Sequence, residues 1–417
     1  MKLLHTSDWH LGHTLHDVSR QYEHEQFLAW LLDQLEAERC DGLVITGDIF
    51  DSANPPAAAQ QLWYGFLAQA HARLPELDVV VIGGNHDSAA RLNAPGPVLE
   101  AMRVTVVGGL PKHDDNTMDV ERLLVPIHSH RSGDGSKVAA WVAAVPFLRP
   151  SDLPKCDDDD LDPLIEGVRQ VYAEAIEAAR QRCADDCPLI VTGHLFMVSG
   201  PVDQLSERRI LGGHQHALPG NIFPKDVGYV ALGHLHKAQR IARRDNVRYA
   251  GSPIPLAMGE ASYKHQIVVV DFDGAQAADV RCLPVPRAVP LLRIPKRSVA
   301  PIDELLMQIA ELPSACENTV RPYLEVAASL PAPEPKLRDR IDAALADKLP
   351  RLLKLTVEYT GDGAALADHA PRTDLKDMDP FDVFLQRYRR DHEQEPSPQL
   401  IDAFHEILAA VHQDQTP

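Results

Sequence analysis

Short apolar runs alternate with helical stretches over roughly the first 280 residues of the chain. The runs are rich in β-branched residues and lie at 3–5, 43–46, 79–82, 142–145, 189–192, 229–232 and 267–272. Between them, apolar residues recur at helical spacing at 27–35 and at 164–179. This alternation predicts a layered α/β domain in which helices cover the sheet.

A proline-rich passage at 283–290 interrupts this pattern and indicates a linker. Beyond it, the sequence predicts a strand at 291–294, a helix at 302–312, a strand at 323–328, a helix at 336–348 and a strand at 352–359. We interpret this stretch as a small α/β capping domain without a catalytic constellation. The predicted domains are therefore 1–282, 283–371 and 372–417.

The last segment, 372–417, predicts two short amphipathic helices. The first carries Phe381, Phe384, Leu385 and Tyr388, and the second carries Leu400, Phe404, Ile407, Leu408 and Val411. Two such helices cannot bury their apolar stripes on each other completely. They either pack back on the body or bind a partner helix in a groove, and the pattern leaves both possibilities open.

The composition narrows the class of protein. With 45% hydrophobic and 24% charged residues in 417, the chain has the composition of a globular protein, and its formal charge of −19 excludes a surface that traps nucleic acid electrostatically. Any DNA contact must be local or shared with a partner. Six scattered cysteines, a polar N-terminus and the lack of an apolar stretch of ~18 residues predict a cytoplasmic protein without a membrane segment.

Five of the apolar runs pass directly into polar segments, which suggests a ligand site at the carboxyl ends of the strands. The polar residues there are Asp8, His10, Asp48, Asn85, His194, His234 and His236. Imidazole, carboxylate and amide oxygen without thiolate suit Mn, Fe, Zn or Ni. If one carboxylate bridges, the seven side chains provide four contacts to each of two ions, a pair suited to phosphoester hydrolysis.

Each motif alone also fits an ordinary turn, because Asp and Asn tolerate turn backbones. It is the convergence of five strand ends that favours a metal site. A second Gly-His-x-His copy at 213–216 follows no apolar strand, so we interpret it as a loop. The acidic run at 157–160 is interpreted as a solvated loop.

The motifs resemble those of the calcineurin-like metallophosphoesterase superfamily. The longer sequence segments around residues 3–12 and 229–236 are similar to those of the SbcD family, the nuclease subunits of bacterial SbcCD complexes. The blocks that carry the resemblance are Asp8-Trp9-His10, Gly47-Asp48-Ile49-Phe50-Asp51, Gly84-Asn85-His86-Asp87, Gly193-His194 and Gly233-His234-Leu235-His236. The resemblance implies a layered metallophosphoesterase β-sandwich flanked by helices, followed by the small α/β capping domain and C-terminal helices.

The resemblance also implies roles for individual residues. One ion would be held by Asp8, His10, Asp48 and His236, and the other by Asp48, Asn85, His194 and His234, with Mn²⁺ as the expected metal. His86 would stabilise the transition state or protonate the leaving oxygen, and Asp87 would orient its ring. Relatives from other kingdoms carry His where this chain has Asp51, to which we assign no role.

By the same resemblance, the chain would be an ATP-dependent double-strand DNA exonuclease and a single-strand and hairpin endonuclease of DNA repair and recombination. It would bind the ATPase SbcC through the C-terminal helices and form a homodimer within a heterotetramer. A stand-alone phosphoesterase of nucleotides or phosphoproteins is the alternative enzyme. A scaffold without activity is disfavoured, because all seven ligand residues are present.

Overall fold

The computed structural model describes residues 1–129, 137–154, 162–198, 218–219, 222–316 and 319–360, with single positions at 388, 396 and 400. Contacts group the chain into a larger unit, 1–328 with 335–357, and a smaller unit, 329–334 with 358–417. The acidic run at 157–160, the second Gly-His-x-His copy at 213–216 and almost all of the segment 372–417 lie outside the described residues. The predicted domain boundaries stay predictions.

The strands are numbered in chain order. They are β1 Lys2–Thr6, β2 Thr14–Leu15, β3 Val18–Ser19, β4 Gly42–Thr46, β5 Asp78–Ile82, β6 Val104–Val107, β7 Leu124–His128, β8 Val138–Ala143, β9 Leu189–His194, β10 Met197–Val198, β11 Leu218–Pro219, β12 Tyr229–Gly233, β13 Gln239–Ile241, β14 Arg244–Tyr249, β15 Gln266–Asp273, β16 Gln276–Pro284, β17 Leu291–Ile294, β18 Ala300–Pro301, β19 Tyr323–Leu330 and β20 Arg351–Tyr359. The α-helices are α1 Gln21–Glu38, α2 Ala57–Arg73, α3 Ala89–Asn93, α4 Gly96–Glu100, α5 Pro163–Arg180, α6 Ile302–Ala310 and α7 Leu337–Leu345.

Two six-stranded sheets form the body of the larger unit. The first sheet has the order β16-β15-β1-β4-β5-β6, and the second has the order β13-β14-β12-β9-β8-β7. In the first sheet β1, β4, β5 and β6 run parallel, and β12 in the second sheet runs parallel to both β9 and β14. The parallel strands therefore present their carboxyl ends at one edge of each sheet.

Alternating residues of the central strands explain why the apolar runs are nearly continuous. Leu3 and Val44 pack into the core that the two sheets share. Their neighbours Leu4 and Leu43 pack on the opposite face, with the apolar sides of α1 and α2. Because both faces of the first sheet are covered, its central strands are mainly apolar, and buried polar residues such as His5 and Thr46 lie at their carboxyl ends.

The structure confirms the predicted fold class, and it adds strands that the sequence pattern did not reveal. The run predicted at 142–145 belongs to β8, which ends at Ala143. The strands β13, β14 and β16 were missed because they mix exposed or half-buried positions with buried ones. β6 and β7 were missed although they carry short apolar runs, each interrupted by Thr105 or Pro126. By contrast, β17, α6, β19, α7 and β20 begin within one residue of their predicted starts.

A buried ion pair joins the strand β19 to the start of α1. Arg20 is fully buried, pairs with Glu23 and donates to the carbonyl oxygen of Pro255 at 2.7 Å. The hydroxyl group of Tyr323 donates to Oε2 of Glu23 at 3.1 Å, and the guanidinium group of Arg20 lies 5.6 Å from the Tyr323 ring centroid. A buried charge pair with this many partners avoids an unpaired charge, so it fixes β19 against the body.

In the described parts of the chain, the helices fall short of the length and apolar character that crossing a membrane requires. The cytoplasmic location stays a prediction.

Candidate metal centre

The seven predicted ligand residues lie together where the two sheets meet. Asp8 and His10 follow β1, Asp48 follows β4, Asn85 follows β5, His194 ends β9, and His234 and His236 follow β12. Hydrogen bonds between loops hold the first sheet's contribution in place, since the amide of Asp8 donates to the carbonyl of Gly47 at 3.1 Å and that of His10 to the carbonyl of Asp48 at 3.0 Å.

Asp48 lies at the middle of the cluster. Its Oδ2 atom is 3.5 Å from Nε2 of His10 and 3.3 Å from Nε2 of His194. Three sets of side chains have ligand atoms within 4.8 Å of one another: Asp8 with His10 and His236, His10 with Asp48 and His86, and Asp8 with Asp48 and His194. One carboxylate oxygen thus faces imidazoles from both sheets, as a bridging ligand must.

Asn85 completes the side of the cluster that His194 and His234 occupy. Its Oδ1 atom lies 3.0 Å from Nε2 of His194 and 3.0 Å from Nδ1 of His234. The backbone amide of His234 donates to Oδ1 of Asp8 at 2.9 Å. Histidine side chains of the second sheet and side-chain oxygens of the first sheet therefore lie in contact, and their ligand atoms are directed to a common point.

The outer ring nitrogens of His194 and His236 each have an acceptor, which leaves the inner nitrogen available. Nδ1 of His194 lies 2.8 Å from the carbonyl oxygen of Thr46, and Nδ1 of His236 lies 2.8 Å from Oε1 of Glu260. A carbonyl oxygen or a carboxylate can only accept, so it fixes a proton on Nδ1 and directs Nε2 inward, where a bound metal would replace any proton on it.

Four of the seven ligand residues have a left-handed backbone. The φ angles are 54° at Asp8, 48° at His10, 51° at Asp48 and 103° at His234. Positive φ is uncommon in residues other than glycine, and outside hairpin turns a group of such residues indicates a candidate functional site. Residues two apart in an extended chain point to the same side, so an extended backbone would also bring Asp8 and His10 together. Instead, both lie beyond the end of β1 in this left-handed conformation.

Two glycines are required by close approach. A Cβ atom at Gly84 would lie 2.2 Å from Oδ1 of Asp48, and one at Gly233 would lie 1.9 Å from the carbonyl oxygen of Thr46. Both distances are far shorter than any real carbon contact. The loop after β5 and the end of β12 can therefore approach Asp48 and Thr46 only because these positions lack side chains.

The structure corrects the role expected for Asp87. Its carboxylate accepts from the backbone amides of Ile49, Phe50 and Gly84 at 3.1, 3.0 and 2.9 Å, and it is buried. The ring of His86 is oriented by another group, because its Nδ1 atom lies 2.8 Å from the carbonyl oxygen of Asp51. Asp87 thus holds the loops after β4 and β5 together. His86 is exposed, in reach of a substrate.

The charges in the cluster attract positive partners. Burial raises the pKa of Asp8. Burial also acts to raise the pKa of Asp48, but the His194 imidazolium outweighs burial and holds that pKa below its usual range. In turn, burial would lower the pKa of His194, and the Asp48 carboxylate raises it to about 9. Two buried carboxylates that hold a proton on a neighbouring imidazole form an environment that favours cations.

The donor set fits a pair of divalent ions. Nε2 of His10 is buried and has no hydrogen-bond partner among the described residues. A buried imidazole nitrogen is rarely left without a partner, and a metal ligand is a common exception. Hard oxygen donors and borderline nitrogen donors, with Asp48 between two histidine groups, match a two-metal site better than a structural zinc site.

Comparison with known proteins identifies the relatives of this chain. Residues 1–238 match the family described as calcineurin-like phosphoesterase, and residues 287–392 match the family described as type 5 capsule protein repressor C-terminal domain. The SbcD subunit of the SbcCD nuclease from Rhodobacter capsulatus is 38% identical over 395 residues, which are 93% of this chain and 94% of that protein. The chain belongs to the SbcD family of calcineurin-like phosphoesterases.

Two further members of the SbcD family show the same relationship. The SbcD subunit of the SbcCD nuclease from Escherichia coli K12 is 34% identical over 302 residues, 70% of each chain. The corresponding protein of Bacillus subtilis strain 168 is 34% identical over 272 residues, 65% of this chain and 66% of that protein. Membership of this family supports a phosphoester hydrolase that uses divalent metal ions, and it supports a nuclease role.

Two carboxylates near the metal centre of this SbcD-family chain had no role in the sequence prediction. Oδ1 of Asp51 lies 3.3 Å from Nδ1 of His10 and 3.0 Å from Nδ1 of His13. Glu260 orients His236, and its other oxygen accepts from the amide of Leu256 at 2.7 Å. Asp51 was visible in the motif after β4, whereas no local pattern marks Glu260, which is 24 residues from His236.

Proposed function

We propose that the chain is a two-metal phosphodiesterase and the DNA nuclease subunit of an SbcCD-type complex. The arrangement of Asp48 carries this proposal, because one buried carboxylate oxygen lies within 3.5 Å of imidazoles from both sheets. Asp8, His10, Asp48 and His236 would hold one ion, and Asp48, Asn85, His194 and His234 the other, with Mn²⁺ as the expected metal. When bound, the ions supply an activated water and neutralise charge on the attacked phosphate.

The chain's own residues then position the substrate and move a proton. His86 is the exposed imidazole of the centre, and its Nδ1 donates to the carbonyl oxygen of Asp51. This contact leaves Nε2 to stabilise the transition state or to protonate the leaving oxygen. Asp87 acts indirectly, by holding the loops that carry Asp48 and Asn85 at a fixed distance. Buried walls around Asp8 and Asp48 keep bulk water from the ligand atoms.

The local charge reconciles a DNA substrate with an acidic protein. Two divalent ions bring four positive charges against the two ligand carboxylates Asp8 and Asp48, so the centre attracts phosphate although the chain carries −19. Wider affinity for DNA would come from the ATPase SbcC, bound by the segment 372–417, in a heterotetramer that contains a homodimer of this chain. In that complex the activity would be an ATP-dependent double-strand exonuclease and a single-strand and hairpin endonuclease.

A hydrolysis assay tests the nuclease proposal. The purified chain is incubated with Mn²⁺ and either bis-p-nitrophenyl phosphate or a DNA hairpin, with Asp48→Ala as the control. We expect metal-dependent cleavage of both substrates, lost in the variant. If the small diester is hydrolysed but the DNA hairpin stays intact, and SbcC and ATP do not change this result, a stand-alone phosphoesterase is favoured instead.

A binding experiment tests the proposed partner contact. Full-length chain and a variant lacking residues 372–417 are each mixed with purified SbcC and separated by size-exclusion chromatography. We expect co-elution only for the full-length chain. Equal co-elution of both proteins would contradict the assignment of these residues as the binding segment. Hydrolysis of the small diester by the shortened chain is the control that it has folded.

A further inference from the structure

An apolar cleft opens beside the metal centre, next to His194. Its interior volume is about 90 Å³, and it is partly open to solvent. Apart from His194, the described residues that line it are all apolar, and they include Phe147, Leu148, Leu195, Phe196 and Leu218. We call this feature the Phe147 cleft. The function proposed above assigns it no role.

The wall of the Phe147 cleft is attached to the ligand loops on two sides. The amide of Phe147 donates to the carbonyl oxygen of Gly83, directly before the loop that carries Asn85, at 2.9 Å. The ring centroid of Phe147 lies 6.1 Å from that of His194, at an interplanar angle of 81°. An aromatic ring is therefore held at a fixed short distance from the ligands of the second ion.

A cation borders the same ring. The guanidinium carbon of Arg149 lies 5.8 Å from the centroid of Phe147. In a chain with a net charge of −19, an arginine against an aromatic ring that itself borders His194 is placed to meet an anionic ligand. The cleft thus combines an aromatic face with a positive charge at its border.

We propose that the Phe147 cleft binds the nucleobase adjoining the scissile phosphate, with the base against Phe147 and the neighbouring phosphate near Arg149. The inference rests on the proposed nuclease function, because a phosphate held by the ions places an adjoining nucleoside beside His194. Aromatic, apolar and arginine side chains form the surface on which single-stranded bases stack. Since the lining offers few hydrogen-bonding groups, the cleft accepts any base rather than one sequence.

Chromogenic nucleotide esters with one scissile bond test this inference. Thymidine 5′- and 3′-(p-nitrophenyl phosphate) are compared, under Mn²⁺, with the matching esters whose deoxyribose carries hydrogen in place of the base. For the ester whose nucleoside enters the cleft, we expect the full chain to show kcat/KM about tenfold higher than for its abasic counterpart. In Phe147→Ala, this ratio should fall below about twofold.

The matched control is Tyr22→Ala, which removes an aromatic side chain that is 47% exposed on α1. It should keep the wild-type ratio. Two results would overturn the cleft assignment and leave the phosphodiesterase proposal standing. One is that nucleoside and abasic esters have equal kcat/KM in both the 5′ and the 3′ series. The other is that Phe147→Ala keeps the wild-type ratio. No hydrolysis of any ester would overturn the proposed phosphodiesterase, and the cleft with it. Because the abasic comparison uses the unaltered chain, it does not depend on how the variant folds.

Discussion

The two sheets contribute different chemistry to the metal centre. The first supplies Asp8, His10, Asp48 and Asn85, and with them both carboxylates and the amide oxygen. The second supplies only imidazoles: His194, His234 and His236. Three of the four residues from the first sheet have a positive φ, against His234 alone from the second. Negative charge and backbone strain are thus concentrated on one side.

This difference has a physical reason. The carboxylates must be buried near each other, which is unfavourable unless cations and hydrogen bonds compensate, so the loops that carry them are bent to place amides around them. An imidazole is neutral when it binds a metal, and it needs only an acceptor behind its ring. We therefore expect the first sheet to determine whether ions bind, and the second to contribute to how tightly each one is held.

The largest expected effect comes from removing the shared charge. Asp48→Asn keeps the size of the side chain, and Asn tolerates the left-handed backbone at this position. We expect it to lose both ions and all metal-dependent hydrolysis, whereas His234→Ala on the second sheet should keep one ion. Elemental analysis of the desalted proteins measures this. Two bound ions in Asp48→Asn would refute the assignment of Asp48 as the bridging ligand.

His86→Ala should slow hydrolysis while leaving the ions in place. Because His86 is exposed and its Nδ1 contacts the carbonyl oxygen of Asp51, we expect a rate loss of about 10²- to 10⁴-fold with both ions retained. The test is kcat together with metal content on the same sample. His86 also lies within ligand distance of His10 and Asp48, so loss of an ion from His86→Ala would make it a ligand instead.

Replacing the carboxylates that contact the Nδ1 atoms of His10 and His236 should have a smaller effect on metal binding. Asp51→Asn and Glu260→Gln weaken the acceptors of His10 and His236, which share the proposed first ion. We expect the affinity for that ion to fall by about 10- to 100-fold in each variant, with the second ion unaffected. Titration calorimetry with Mn²⁺ measures both sites, and Glu25→Gln, an exposed carboxylate on α1, is the control. Unchanged binding in both variants would deny these carboxylates any influence on the site.

The smallest expected effects are on stability, and they distinguish a glycine required by close packing from one that is not. Gly84→Ala forces a Cβ atom against Asp48, so it should destabilise the fold by about 1–3 kcal/mol. Gly65→Ala in α2 meets no atom within 4 Å and should stabilise the fold by about 0.5–1 kcal/mol. Urea unfolding of both variants gives the two signs, and destabilisation by Gly65→Ala would contradict this interpretation.

Much of the fold was visible in the sequence because each central strand is buried on both faces. The apolar runs of β1, β4 and β5 end with the strands, and the ligand residues follow there although Asp8, His10 and Asp48 are buried too, so strand ends and site residues share one signal. The elements β17, α6 and β19 were visible for a similar reason, since their apolar positions follow one clear period. The edge strand β13 carries no such signal, because only one of its three residues is buried, and in β7 a proline interrupts the apolar run.

The parts that escaped prediction depend on contacts between distant segments. Glu260 reaches His236 only because the chain returns after β13 and β14, and nothing near Glu260 in the sequence records this. The function of Asp87 was mistaken for a related reason: its position beside His86 suggested a contact with that ring. Two of its three partners are amides of the loop after β4, 37 and 38 positions away, and the third is the amide of Gly84. Positive φ at Asp8 and Asp48 likewise has no signature in residue type.

His5 has a consequence for how the two sheets stay aligned. It is fully buried between them, with Nδ1 3.0 Å from the hydroxyl group of Tyr229 on β12 and Nε2 3.0 Å from Oγ1 of Thr46 on β4. Apolar packing is nondirectional and would tolerate a small slip of one sheet over the other. A metal tolerates about 0.2 Å of ligand displacement, whereas one residue of strand is ~3.3 Å. The directional hydrogen bonds of His5 therefore help to keep the two sheets in register, so that the ligand residues of both sheets meet.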